Sequence, residues 1–205
     1  YLIATNGIST TNGVTNNVVN RLEIQAGYIN SNISGNSGST NINSNGTVYL
    51  SDNFSISQAI TSKGKCVNSN ANGILNGISV SNNSIIQLTG GTLASAISGN
   101  GYTKIIGDVS IGSGGSIANN VSIEGSNSQL TAALENLSGS VTVNSGNSLN
   151  LIGQLQNGIL GNGNIILNEQ QDITSDLTFS GNLYLDNQNL NLKDSNYEAL
   201  NFANL

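Results

Sequence analysis

The sequence predicts an all-β chain wound into a parallel β-solenoid, with a short helix at its C-terminus. Three observations carry that expectation. Short runs of alternating apolar and polar residues recur between residues 30 and 190; Gly/Asn corners separate them; and the 205 residues contain no proline. The runs include Thr47-Val48-Tyr49-Leu50, Gly77-Ile78-Ser79-Val80-Ser81, Asp108-Val109-Ser110-Ile111-Gly112, Asn120-Val121-Ser122-Ile123-Glu124 and Gly139-Ser140-Val141-Thr142-Val143. Short strands at regular intervals with tight corners describe stacked coils rather than a compact globule.

Each observation has a physical basis. Period-two alternation puts Val109 and Ile111, or Val121 and Ile123, on one side of a strand and their polar neighbours on the other. If coils stack, the inward residues pile into columns one strand spacing apart. Gly and Asn tolerate the left-handed backbone of a tight corner, and stacked Asn side chains can hydrogen-bond in ladders. An interior strand of a solenoid is paired on both sides and wants every N–H, which proline lacks. A loop-rich domain of this length would carry about ten prolines at the usual frequency of about 5%.

Taken along the chain, residues 1–29 are the least regular and read as an initial coil, edge or assembly segment. Val18, Val19, Leu22 and Ile24 mark one or two strands there, with Arg21 and Glu23 outward. Residues 30–193 form the solenoid. Within them Ile33-Ser34-Gly35-Asn36-Ser37, Ile97-Ser98-Gly99-Asn100-Gly101 and Ile159-Leu160-Gly161-Asn162-Gly163 are variants of one phrase, spaced 64 and 62 residues apart. About three coils of roughly 20 residues fit each interval. Gln129–Leu137 has helix-like spacing and reads either as a helical insertion or, preferably, as short strands. In residues 194–205, Ser195-Asn196-Tyr197-Glu198 matches a capping box. Tyr197, Leu200, Ala203 and Leu205 then share a helical face that covers the last coil and its open edge; the alternative is a segment that docks on another copy or links to a removed region.

Composition narrows the function. The chain holds 37 Asn, 29 Ser and 25 Gly, and only 8% of its residues are charged. Such polarity resembles disorder, but the Ile, Leu and Val in strand register allow regular burial. The net charge of −6 argues against a nucleic-acid partner, which needs clustered Lys and Arg. The charge is uneven: residues 1–107 carry +2 and residues 108–205 carry −8. That asymmetry favours head-to-tail approach of neighbouring copies. No apolar run reaches the length of about 18 residues that a membrane helix needs. The absence of methionine, position 1 included, reads as a processed or excised product.

The residue inventory offers little chemistry. With no histidine, His-based general base or triad catalysis is excluded, as are His/Cys metal sites. Cys66 is the sole cysteine, so no intramolecular disulfide forms; it reads as an ordinary thiol rather than an intermolecular cross-link. Glu169, Asp172 and Asp176 are the densest acidic group, without a basic residue nearby in sequence, and read as solvated loop charges. Calcium nonapeptide and phosphate-loop patterns are absent. No catalytic, cofactor-binding or metal residue is therefore assigned, and no cofactor is expected.

The phrases Ile97-Ser98-Gly99-Asn100-Gly101, Asp108-Val109-Ser110-Ile111-Gly112 and Gly181-Asn182-Leu183-Tyr184-Leu185 resemble the passenger regions of bacterial autotransporters and related β-helical surface antigens. The resemblance is one of style and composition across roughly residues 30–190. It implies a right-handed parallel β-helix, extracellular on a bacterial surface, serving as a stalk, adhesin or surface layer. The expectation is a non-enzymatic structural protein forming a rod, layer or filament by end-to-end self-association. The alternative is an adhesin that binds a host receptor or glycan through an outer face, with Tyr49, Tyr102 or Tyr184 stacking on sugar. A polysaccharide-degrading enzyme is the remotest reading.

Overall fold

The computed structural model describes residues 2–15, 22–35, 39–44, 46–156, 158–173, 177–185, 190–192 and 200–201. They form a parallel β-solenoid whose strands line up in stacked faces. A first face has seven strands, from Leu2–Ala4 to Ser116–Ile117; a second has nine, from Gly7–Ser9 to Ile159–Gly161. A third has six, from Gly91–Leu93 to Asn182–Leu185. Every strand pairing among the described residues is parallel. Parallel pairing follows from winding, because each coil re-enters a face in the same direction as the one before it. No helix among the described residues is long and apolar enough to cross a membrane.

The core is the inside of the coil. On the first face Leu2, Leu22, Thr40, Ile60, Ile78, Ile97 and Ile117 align, successive partners lying 20, 18, 20, 18, 19 and 20 residues apart. On the second, Ile8, Ile29, Leu50, Ser69, Leu88, Ile105, Ile123 and Val143 form a column of buried residues. On the third, Val109, Leu130, Leu149, Ile165 and Leu183 do the same. Full burial of each Ile, Leu or Val contributes about 1.5–3 kcal/mol. Before the third face becomes a sheet, its place is taken by Val14, Ile33, Ile56 and Ile74, joined by a two-residue ladder and isolated bridges. Asn83 and Asn127 supply left-handed corners with φ of 63° and 60°.

Polar residues inside the columns are mostly paired from the corners. The Thr40 hydroxyl donates to Gln58 Oε1 (3.3 Å), and the Thr103 hydroxyl donates to Asn119 Oδ1 (2.6 Å). Ser62 differs. It stands in the column between Ile42 and Val80, fully buried, and its hydroxyl meets no partner among the described residues. Desolvating that hydroxyl without a bond costs about 1–3 kcal/mol. Ser62→Ala is therefore expected to stabilise the fold by about 1 kcal/mol, read as a rise in the urea midpoint at unchanged slope.

The structure revises several expectations. The repeated phrase does not count coils: Ile33 lies on the third face, Ile97 on the first and Ile159 on the second. An apolar anchor followed by a Gly/Asn corner suits any corner, so its recurrence need not match a whole number of windings. Residues 2–15 already stack in register on the strands of the next coil. Glu23 keeps the outward register but is covered, only 7% exposed, and accepts from Gln25 Nε2 (2.9 Å). Val18, Val19 and Arg21 lie outside the described residues. Gln129–Ala133 is a strand, and Leu134–Asn136 is a single 3-10 turn, so both readings of that segment contribute.

At the C-terminus the expected helix is not found where it can be judged. Leu200–Asn201 is a strand paired with Leu177–Thr178. A strand edge offers Leu200 and Asn201 a backbone ladder that an isolated short helix would lack. Ser195, Tyr197, Glu198, Ala203 and Leu205 lie outside the described residues.

Candidate functional surface

Of the acidic trio, only Glu169 and Asp172 lie among the described residues. Glu169 is exposed and Asp172 is half-buried, with the Asp172 backbone N–H donating to Gln154 Oε1 (2.8 Å); Asp176 lies outside the described residues. Among the described residues, no three His, Cys, Asp or Glu side chains gather in a way that could hold a metal ion. Glu169 instead shares a shallow groove of about 200 Å³ with Glu135, Gln154 and Gln156, over Ala133, Leu134 and Ile152. Glu135 was not legible as its companion, because the two come from different windings.

Cys66 occupies an outer row of the second face between Thr47 and Ile85. It is nonetheless buried, and its Sγ accepts from Gln87 Nε2 (2.9 Å). Burial pushes the thiol pKa up, outweighing the Gln87 hydrogen bond, the nearby Lys104 charge and a hydrogen bond with Thr47. A thiol that stays protonated is a poor nucleophile. Further along this face Lys104 Nζ pairs with Glu124 Oε2 at 2.9 Å. Burial raises the Glu124 pKa, but hydrogen bonds from Lys104 and Ser122 and the Lys104 charge together hold it below the ordinary value. The pair is a partly exposed surface bridge of the kind that contributes at most about 1 kcal/mol.

The second face carries the most distinctive outer row. Gly7, Tyr28, Tyr49, Asn68, Gln87 and Lys104 stand in register, one per winding. Alternation explains the row: Val48 and Leu50 point inward, so Tyr49 between them points out, and Ile29 does the same for Tyr28. In-register parallel strands lie one strand spacing apart, which brings the two rings together. The Tyr28 and Tyr49 rings are stacked, with centroids 4.7 Å apart and planes 15° from parallel. Tyr28 is 57% exposed, and its partner on the other side is Gly7, which has no side chain to cover the ring.

All three tyrosines marked in the sequence face outward, not into a column. Tyr49 is half-buried in the stack; Tyr102 is exposed one row over, in line with Ile85; Tyr184 is exposed on the third face. Tyr28 is the residue the sequence reading missed. Its signal was present: Tyr28 and Tyr49 are 21 residues apart, each just before an apolar residue of the same column. Compared with known proteins, the chain matches no family model, no curated protein and no solved structure, so the solenoid's own geometry carries the functional reading.

Proposed function

We propose that this chain is a structural surface protein, an extracellular β-solenoid that serves as a stiff rod and whose role is mechanical rather than catalytic. The observation that supports the reading is the unbroken register of the three stacked faces. Each winding is hydrogen-bonded to the next along those faces, and the inward columns pack continuously, so bending would break many bonds at once. The nine-stranded face alone extends about 38 Å at about 4.8 Å per strand interval. Low charge and rows of Asn, Ser and Thr make a polar, weakly repelling surface.

End-to-end association is the assembly mode this reading favours. Among the described residues, Leu2–Ala4, Gly7–Ser9 and Val14–Thr15 are each paired on one side only. Such an edge accepts a parallel strand from a second copy or from a neighbouring stretch of the same polypeptide. The opposite charges of the two halves support the same approach. An adhesin role, in which the rod displays binding groups along a face, is favoured by the Tyr28–Tyr49 stack.

Small-angle scattering and sedimentation over a concentration series test this proposal. The expected result is a rod-like profile of constant cross-section whose length grows in whole-chain steps. A globular profile would remove the rod. A rod that stays monomeric at every concentration and salt would remove self-association and leave the scaffold.

A further inference from the structure

The outer row of the second face combines features that suit one ligand chemistry. The Tyr28 ring presents an open face above Gly7, and Tyr49 backs it at 4.7 Å. A Cβ at Gly7 would come within 2.2 Å of the Tyr28 carbonyl oxygen, so the backbone itself keeps this place free of a side chain. Next in the row after Tyr49 is Asn68, half-buried, whose side-chain amide makes no hydrogen bond among the described residues. Gln87 follows; its Nε2 is used by Cys66 while its Oε1 has no partner there. The strands Gly27–Asn30, Thr47–Leu50, Cys66–Ser69 and Ile85–Leu88 contain no charged residue.

We propose that a neutral oligosaccharide binds along this face, with one pyranose stacked on the open Tyr28 face over Gly7 and the chain crossing the edges of the two rings to place hydroxyls of further units on Asn68 and Gln87. The argument is chemical. An aromatic face takes the apolar C–H face of a pyranose, and an amide offers both a donor and an acceptor to sugar hydroxyls. An uncharged row gives no purchase to a phosphate, sulfate or uronate, and the first charge along it, Lys104, is already paired with Glu124. The repeat suits a polymer too: the row advances about 4.8 Å per winding, close to the advance of an extended chain of pyranose units. The site rests on the scaffold reading above, since a rigid register is what holds the rings and amides in line.

The test is titration of the full chain with hexasaccharides of β-1,4-glucose, β-1,4-N-acetylglucosamine and α-1,4-glucose, followed by tyrosine fluorescence and saturation-transfer NMR. Hexagalacturonate serves as the anionic probe. The expected result is saturable binding of at least one neutral hexasaccharide. Tyr28→Ala should weaken it about tenfold, as should Asn68→Ala, and Tyr184→Ala should leave it unchanged. Thermal unfolding of each variant separates lost binding from lost fold; Tyr28→Phe, which keeps the ring, should retain most affinity. Absence of binding to all three neutral probes, preference for hexagalacturonate, or affinity that survives Tyr28→Ala would overturn the proposal. So would dissociation of an oligomer by Tyr28→Ala without sugar, which would make a second copy the occupant. A rod that scatters as expected but binds none of the neutral probes would sink this site alone.

Discussion

Replacing Ile97 by Asp is expected to unfold the middle of the stack. Ile97 is fully buried in the first-face column, paired with Ile78 on one side and Ile117 on the other. The substitution loses about 1.5–3 kcal/mol of burial. It also puts a carboxylate among apolar side chains, which adds several kcal/mol more unless the group is neutralised. A loss above about 4 kcal/mol is expected, enough to consume most of a typical domain's stability. The neighbouring Ser98→Asp is the control: Ser98 is exposed, so its change should stay within about 0.5 kcal/mol. Because each winding touches mainly its neighbours, Ile78–Val80 and Ser116–Ile117 should lose hydrogen-exchange protection first. Equal effects of the two substitutions in urea unfolding would show that the columns do not carry the stability.

Gly99→Val is expected to be nearly as damaging, for a different reason. Gly99 sits at a corner with φ of +92°, where L residues are strained. A Cβ there would come 2.3 Å from the Val80 carbonyl oxygen and 2.9 Å from its backbone nitrogen. The clash is with backbone, so no rotamer change relieves it, and the winding must separate from the one before. Strain alone costs about 1–3 kcal/mol; with the displaced pairing the loss should exceed about 3 kcal/mol. Gly146 isolates the strain. It has φ of +78°, but an added Cβ would meet nothing within 4 Å. Gly146→Asn should therefore cost about 1 kcal/mol or less, because Asn tolerates the left-handed region. Thermal melts of both variants check the pair, and equal losses at the two sites would show that close approach between windings is not the constraint.

Much of this architecture was legible in order of residues. Val109 and Ile111, and Val121 and Ile123, point inward as the alternation required, because side-chain direction in a strand has a strict period of two. The Asn ladder is present where Asn182 Nδ2 donates to Asn164 Oδ1 at 3.0 Å. The phrase repeat misled, because corner chemistry at Ile33, Ile97 and Ile159 is alike while their faces differ. Glu23 misled because an outward register does not guarantee solvent. The expected helical face misled at Leu200, where strand pairing with Leu177–Thr178 overrides a local preference; the capping-box residues Ser195 to Glu198 lie outside the described residues.

The sequence by itself determined the local conformation: strands where apolar and polar residues alternate, corners where Gly and Asn allow left-handed backbone, and a proline-free ladder. It also determined which side chains turn inward, since that needs only neighbours along the chain. Register across windings was decided by the tertiary structure alone. Only winding could place Tyr28 on Tyr49 and Gly99 against Val80, because residues about 20 positions apart meet through the closure of a coil, and only stacked windings bring Glu135 and Glu169 to one groove. The outer face is thus a property of the stack, and its chemistry follows from which rows the windings bring together.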